Sequence, residues 1–180
     1  MMILSFCKEN ILLMMRMLPL LVFLSLCTNQ RTDKKTPAGN GPVVEQKEHN
    51  ITALCDGKKI FMYKYDQSLF KPYVKELFTP DGLNVLLDSP DDHKHHHGLM
   101  YAIKVDGTNF WEEVEQSGRQ ELRHTGNVFS KTADSRAEMG FSSRLEWIRP
   151  QDEKVLLLED RTIKVEIPAD KSVTLLTWSS

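Results

Sequence analysis

The sequence predicts an all-β fold, either an antiparallel β-sandwich or an incomplete supersandwich-like domain, over residues 50–180. After residue 50, short runs rich in β-branched and aromatic residues alternate with turn signals. No segment there carries an amphipathic helical stripe of about 12 residues or more. Strands without crossover helices are typical of packed antiparallel sheets.

Turn residues divide the first half of this region into hairpins. Asp56-Gly57 and Asp106-Gly107 suit tight hairpin turns because Gly adopts positive φ freely and Asp tolerates it. In the Thr79-Pro80-Asp81-Gly82 turn, proline presets the first dihedral angle and glycine completes the reversal. The strands expected beside these turns are 51–54, 60–65, 73–78, 83–87, 99–105 and 109–111.

Longer strands are expected in the second half, where polar and apolar residues alternate across much of 143–148. Residues 150–153 and 168–170 form turns between them. The chain ends inside an apolar run, which predicts a truncated domain with its last strand at an exposed edge. The expected strands are 127–131, 137–148, 154–167 and 173–179.

The N-terminus has the features of an export signal, assigned to residues 1–27. Arg16 precedes the apolar run 18–26, which is too short for a helix that needs about 20 residues to cross a bilayer. Residues 24–27 resemble the bacterial lipoprotein box, which implies a lipid on Cys27 and a cell-envelope location in the periplasm or at the outer membrane. An uncleaved anchor formed by residues 1–26 is the alternative.

Residues 28–49 are polar and are expected to be a flexible linker.

Charge and cysteine content narrow the classes of function and the sources of stability. The formal net charge is −2, with both signs interleaved, so there is no broad basic face to bind nucleic acid. Of the 3 cysteines, Cys55 alone lies outside the leader. Stability must therefore come from packing rather than from an intramolecular disulfide.

The segment from Asp92 to Leu99 concentrates 4 of the 6 histidines. If it is extended, His93, His95 and His97 project to one side, where imidazoles two residues apart can share a divalent metal such as Zn, Cu, Fe or Ni. The third ligand is then either the remaining histidine or a carboxylate such as Asp92. A metal-free polar pocket and a structural loop are the alternatives. The sequence leaves the cofactor open.

A carbohydrate site is also predicted, because sugar sites combine an aromatic platform with clustered polar and ionisable groups. Imidazole titrates near neutrality and suits general acid or base catalysis beside a carboxylate. The candidate catalytic residues are His95, His96 and Glu112, with Glu113 as the alternative carboxylate. The candidate ligand-binding residues are Asp92, Tyr101, Asn109 and Trp111.

Two blocks of the sequence resemble a known family. The run 92–99 followed by 106–111 (DHKHHHGL and DGTNFW) is similar to the D-H-x-H-H-x-G-L and N-G-x-x-F-W pattern of the bacterial family labelled methane oxygenase PmoA-like, a domain of unknown function. Lys71-Pro72-Tyr73 and the 79–82 turn resemble a second segment of that family. Lys94 and His97 depart from it, since Pro and Arg are common there.

The resemblance covers roughly residues 50–180 and implies a secreted, largely β protein, often encoded in bacteria that degrade polysaccharides. A membrane oxygenase subunit is not expected, because no apolar run of about 20 residues follows Cys27. Three functions stay open: binding or processing of a glycan or other small molecule, a metal-dependent oxidoreductase or metal-binding module, and a non-catalytic envelope lipoprotein.

Overall fold

The computed structural model describes residues 41–180, which form strands, turns and loops without a helix. The all-β prediction is therefore confirmed for this part of the chain. The strands are β1 (Pro42–Gln46), β2 (Asn50–Cys55), β3 (Lys58–Lys64), β4 (Tyr73–Leu77), β5 (Lys104–Val105), β6 (Thr108–Asn109), β7 (Arg119–Ala133), β8 (Arg136–Arg149), β9 (Lys154–Ile167) and β10 (Leu175–Ser179).

The strands form two 4-stranded antiparallel sheets and one short hairpin. The first sheet has the order β1-β2-β3-β4, the second has the order β10-β9-β8-β7, and β5 pairs with β6. Asp56 and Asp106 adopt positive φ at their hairpin turns, as expected for these dipeptides. The last strand, β10, lies at an edge of the second sheet.

A shared apolar core joins the two sheets into a β-sandwich-like domain. Because side chains alternate along a strand, every second residue faces inward. Phe61 and Tyr63 of β3 meet Phe141 of β8 with ring centroids 6.4 Å and 4.8 Å apart, respectively. The alternation predicted for 143–148 is confirmed, since Leu145 and Trp147 are fully buried.

The same alternation carries two charged residues of β9 inward. Arg161 is fully buried, and its guanidinium donates to both carboxylate oxygens of Glu159, at 2.7 and 2.8 Å. The Tyr63 hydroxyl, the Gln120 side chain and the Pro72 carbonyl accept the remaining hydrogen bonds of the Arg161 side chain. The inner face of the sandwich is therefore partly polar and fully hydrogen-bonded at this arginine.

Several predicted strands differ from the observed ones. Residues 83–87 form only an isolated bridge, Phe78↔Asn84, instead of a strand. The Asn84 side chain accepts from the Leu77 and Leu86 amides there. The predicted strand 99–105 is reduced to β5, and the predicted strand 109–111 is displaced to β6. β7 begins at Arg119, well before the predicted 127, because the long pairing with β8 continues through register shifts.

The predicted linker 28–49 is wrong at its end. β1 lies within it and pairs with β2 from Pro42↔Cys55 to Gln46↔Ile51, so the ordered domain begins before residue 50. Backbone pairing with an adjacent strand outweighs the polar composition here. The predicted signal, Cys27 and the first part of the linker lie outside the described residues. Within residues 41–180, no helix has the length and apolar character needed for a membrane crossing.

Candidate functional site

The histidine segment is a loop made of two successive turns. His93 donates its amide to the Pro90 carbonyl and His96 donates its amide to the His93 carbonyl, each at 3.0 Å. The backbone therefore reverses twice, and the strand alternation expected for these imidazoles does not apply. The rings of His93, His95 and His96 gather instead, with centroids 4.5 to 6.2 Å apart.

The end of this loop is fixed to β4. Leu99 and Val74 exchange both main-chain hydrogen bonds at 2.9 Å. Gly98 adopts a φ of 23° directly against the Val74 carbonyl, where a Cβ atom would lie 2.1 Å from the oxygen. This close approach sets the direction in which His97 leaves the loop.

His97 lies between two carboxylates. Its Nδ1 atom is 2.8 Å from an Asp88 oxygen and its Nε2 atom is 3.1 Å from a Glu113 oxygen. The imidazole stacks on Tyr73 of β4 at a centroid distance of 4.5 Å, and Tyr73 donates its hydroxyl to Asp88 at 3.3 Å. The histidine is thus held by contacts on both ring edges and on one face.

Glu113 also accepts a hydrogen bond from a buried lysine. The side chain of Lys71 is 0% exposed, and its Nζ atom lies 2.6 Å from the second Glu113 oxygen. Lys71, Glu113, His97, Asp88 and Tyr73 therefore form one continuous hydrogen-bonded network.

The segment after β6 positions Glu112 and Glu113. The Trp111 amide donates to the Asn109 side chain at 2.8 Å, and the Gly118 amide donates to the Asn109 carbonyl at 2.8 Å. These bonds close a tight loop whose two glutamates face the histidine segment. An open cleft of about 460 Å³ lies between the two segments, lined by Lys94, His95, Glu112, Glu113 and Val114.

Burial alters the ionisation of three groups around this network. Burial lowers the pKa of Lys71, although the hydrogen bond and the charge of Glu113 act in the opposite direction. Burial and the charge of Asp88 raise the pKa of Tyr73, which therefore stays a neutral donor at physiological pH. Partial burial and the neighbouring imidazoles of His95 and His93 lower the pKa of His96.

The structure brings together some of the predicted site residues. His95 and Glu112 line the same cleft. The His96 ring packs edge-on against Trp111 at 5.5 Å, and Trp111 is 43% exposed. An exposed aromatic surface therefore lies beside the imidazoles.

Three predicted ligand-binding residues have other contacts. Asp92 pairs with His93 at 3.0 Å and is largely exposed. Tyr101 packs against Trp147 with ring centroids 5.7 Å apart and does not line the cleft. Asn109 closes the loop before Trp111, which is a role in positioning the site.

The predicted metal set of His93, His95 and His97 is not assembled. His97 contacts Asp88 and Glu113, while the rings of His93 and His95 lie against each other and against His96. Within residues 41–180, no three His, Cys, Asp or Glu side chains are grouped in a way that holds a metal ion. The double turn of the loop is the physical reason, because it removes the strand periodicity on which that expectation depended.

Asp88, Lys71 and Tyr73 belong to the network but were not among the predicted site residues. Lys71 stands alone between apolar and aromatic neighbours in Phe70-Lys71-Pro72-Tyr73, and a lone charge in such a run signals either a strand end or a buried pair. Asp88 carries no comparable signal, because the loop that brings it to His97 is not readable from local pattern.

A second cleft, of about 430 Å³, lies beside His49, Asp66 and Arg123. His49 pairs with Asp66 at 2.9 Å there. None of the predicted site residues lines this cleft, so its residues are not part of the histidine site.

The fold and the site define an all-β, sandwich-like domain with a polar cleft built from imidazoles, carboxylates and an exposed indole. Residues 50–180 match the model described as Family of unknown function (DUF6807), and the chain belongs to this family. No curated protein and no solved structure matches the chain.

Proposed function

We propose that this protein binds or processes carbohydrate in the cleft between the histidine loop and Glu112–Glu113. The observation that supports the proposal is the convergence of His95, Glu112 and Glu113 on one open cleft near the half-exposed Trp111. Sugar hydroxyls are donors and acceptors, which suits carboxylate oxygens and imidazole nitrogens. The faces of sugar rings pack on indole surfaces, which are large, rigid and apolar.

The site has the residue types for acid or base chemistry. Glu112 is exposed in the cleft wall, and His95 lines the same wall. A carboxylate and an imidazole that contact one bound sugar can exchange protons with its hydroxyl or glycosidic oxygen. We propose Glu112 and His95 as the groups that contact the ligand, with His96 holding Trp111 in place.

Export to the cell envelope completes the proposal. A lipid on Cys27 would tether the domain through a polar segment, and the resemblance to the PmoA-like family implies bacteria that degrade polysaccharides. A tethered sugar-binding domain at the cell surface meets its ligand outside the cell. The metal-dependent reading has less support, because His97 contacts Asp88 and Glu113 and is not grouped with His93 and His95.

Isothermal titration calorimetry of the full-length chain, purified without a histidine tag, tests the proposal. The probes are cellohexaose, xylohexaose, mannohexaose and chitohexaose, and chromatography of the incubated mixtures detects any cleavage. Trp111→Ala and Glu112→Gln should weaken binding of whichever hexasaccharide binds the wild type. Glu115→Gln and His124→Ala, both exposed and outside the cleft lining, are the matched controls.

Binding that is unaffected by Trp111→Ala and Glu112→Gln would place the sugar site elsewhere. Absence of binding for all four probes, together with stoichiometric metal in the purified protein, would favour the metal-binding alternative. Absence of both would favour a non-catalytic envelope lipoprotein.

A further inference from the structure

Lys71 is a buried cation that contacts the wall of the cleft. Its side chain is 0% exposed, and its ammonium donates to Glu113 at 2.6 Å. Glu113 is its charged partner and is itself 20% exposed at the cleft. The lysine is therefore isolated from solvent while its partner borders the proposed ligand.

The backbone on either side of Lys71 is clamped by the second sheet. The Gln120 amide donates to the Phe70 carbonyl at 2.7 Å. The buried Arg161 donates to the Pro72 carbonyl at 3.3 Å. The carbonyls of the residues before and after Lys71 are thus hydrogen-bonded to residues of β7 and β9, which ties the lysine backbone to the second sheet.

A contribution to stability is a poor explanation for such a pair. Removing a lysine and a carboxylate from water is unfavourable, and their mutual attraction roughly offsets that cost. Replacing a buried pair with apolar residues is often neutral or stabilising. A desolvated lysine paired with a carboxylate at the edge of a cleft is instead characteristic of functional sites.

We propose that Lys71 is a positioning residue that fixes the Glu113 carboxylate for contact with the ligand, an inference that rests on the proposed function of the cleft. Lys71 holds one oxygen of Glu113 and His97 holds the other, so the carboxylate cannot rotate. Each carboxylate oxygen accepts about two hydrogen bonds, which leaves acceptor capacity for two ligand hydroxyls. Because the carboxylate is already fixed, it loses less conformational entropy when the ligand binds than a freely rotating side chain would lose.

This role is tested by titrating the hexasaccharide that binds the wild type into Lys71 variants. Lys71→Met should raise the dissociation constant about tenfold or more, because Glu113 loses its charged partner. Lys71→Arg should restore part of the affinity, since a guanidinium keeps the charge and the donors. Lys59→Met is the control. Lys59 pairs with Glu76 at an N–O distance of 2.7 Å, and neither residue lines the cleft, so this variant should leave the affinity unchanged.

A spectroscopic measurement reads the Lys71–Glu113 contact without the sugar. In the wild type, the ammonium of Lys71 should give a slowly exchanging nitrogen-proton NMR signal, because the group is buried and hydrogen-bonded. Glu113→Asp keeps the charge, shortens the reach, and should shift that signal and weaken binding together. Wild-type affinity in Lys71→Met or in Glu113→Asp overturns the positioning role.

Failure of the two proposals can be told apart. A wild-type protein that binds none of the hexasaccharides overturns the proposed function of the cleft. A Lys71 ammonium signal that does not respond to Glu113→Asp overturns the positioning role, whether or not the protein binds sugar.

Discussion

Gly98 lies so close to Val74 that its missing Cβ atom would stand 2.1 Å from the Val74 carbonyl oxygen. The contact occurs where the histidine loop joins β4, next to His97 and one residue before the Val74–Leu99 bridge. No rotation of a side chain relieves it, because the obstructing atom belongs to the backbone. The geometry of the site therefore depends on a residue without a side chain at this position.

Gly98→Ala is expected to destabilise the fold and displace His97. The added Cβ brings both positive-φ strain and a backbone clash, so the loss of unfolding free energy should exceed that of a control variant by about 1–3 kcal/mol. The control is Gly57→Ala, which has a φ of 75° but no atom within 4 Å of its Cβ position. That control should cost about 1–2 kcal/mol from strain alone.

Urea denaturation of both variants measures the difference. Equal losses of unfolding free energy in the two variants would mean that the Val74 contact is not tight in solution.

Arg161→Met is expected to destabilise the protein by about 3–5 kcal/mol, because it leaves the buried Glu159 without its charged partner. The Glu159 side chain is only 4% exposed, so solvent cannot replace the lost guanidinium. Arg144→Met is the matched control, since Arg144 pairs with Asp160 at 2.8 Å while both side chains are largely exposed. Exposed pairs of this kind contribute about 1 kcal/mol or less.

Chemical denaturation followed by tryptophan fluorescence gives both values. An Arg161→Met protein no less stable than Arg144→Met would contradict the view that Glu159 depends on Arg161.

Stability is expected to fall in acid partly through Glu159. Burial alone raises the pKa of Glu159, but the hydrogen bonds and charge of Arg161 outweigh it and hold the pKa below the ordinary 4.5. A carboxyl with a lowered folded-state pKa binds fewer protons when folded than when unfolded. Its contribution is therefore fully present above pH 4.5 and is lost as the pH falls through the folded-state pKa.

Unfolding free energies of the wild type and of Glu159→Gln, measured between pH 7 and pH 3, test this linkage. The variant should be less stable at neutral pH and should show a flatter decline in acid. Parallel curves for the two proteins would show that the Glu159 pKa is the same in the folded and unfolded states.

Lipidation of Cys27 is expected to decide where the protein resides. A cysteine that carries several acyl chains gives stable membrane association, since each buried methylene contributes about 0.8 kcal/mol. The wild type expressed in a lipoprotein-processing bacterium should fractionate with membranes and incorporate labelled palmitate. Cys27→Ser should lose the label, and Cys55→Ser, the matched control, should keep it.

Palmitate incorporation by Cys27→Ser would place the acyl chain on another residue. Membrane association of Cys27→Ser without label would support the uncleaved anchor of residues 1–26.

Local pattern was sufficient to predict much of the fold. The Asp56-Gly57 and Asp106-Gly107 turns form as expected, because the two residues of each dipeptide themselves adopt the positive φ that the turn requires. The alternation along 143–148 correctly assigns Leu145 and Trp147 to the core. Residues 83–87 had a comparable apolar pattern but form only the single Phe78↔Asn84 bridge, and the Asn84 side chain accepts from the Leu77 and Leu86 amides.

The candidate site was predictable only in part. Sequence clustering pointed to His95 and Glu112, which do line one cleft, and to His96 and Trp111, which do pack together. The same clustering predicted that His97 would join His93 and His95, but the double turn of the loop carries it to Asp88 and Glu113.

The sequence by itself determined the all-β class, the main hairpin turns and the segment that carries the imidazoles, because strand periodicity and turn preference act between residues near each other along the chain. Only the tertiary structure decided that β1 belongs to the domain, that Arg161 faces the core, and that Lys71 meets Glu113, 42 residues away. Such pairings depend on how distant strands register and on how burial changes the energy of a charge, and neither is encoded in a local pattern.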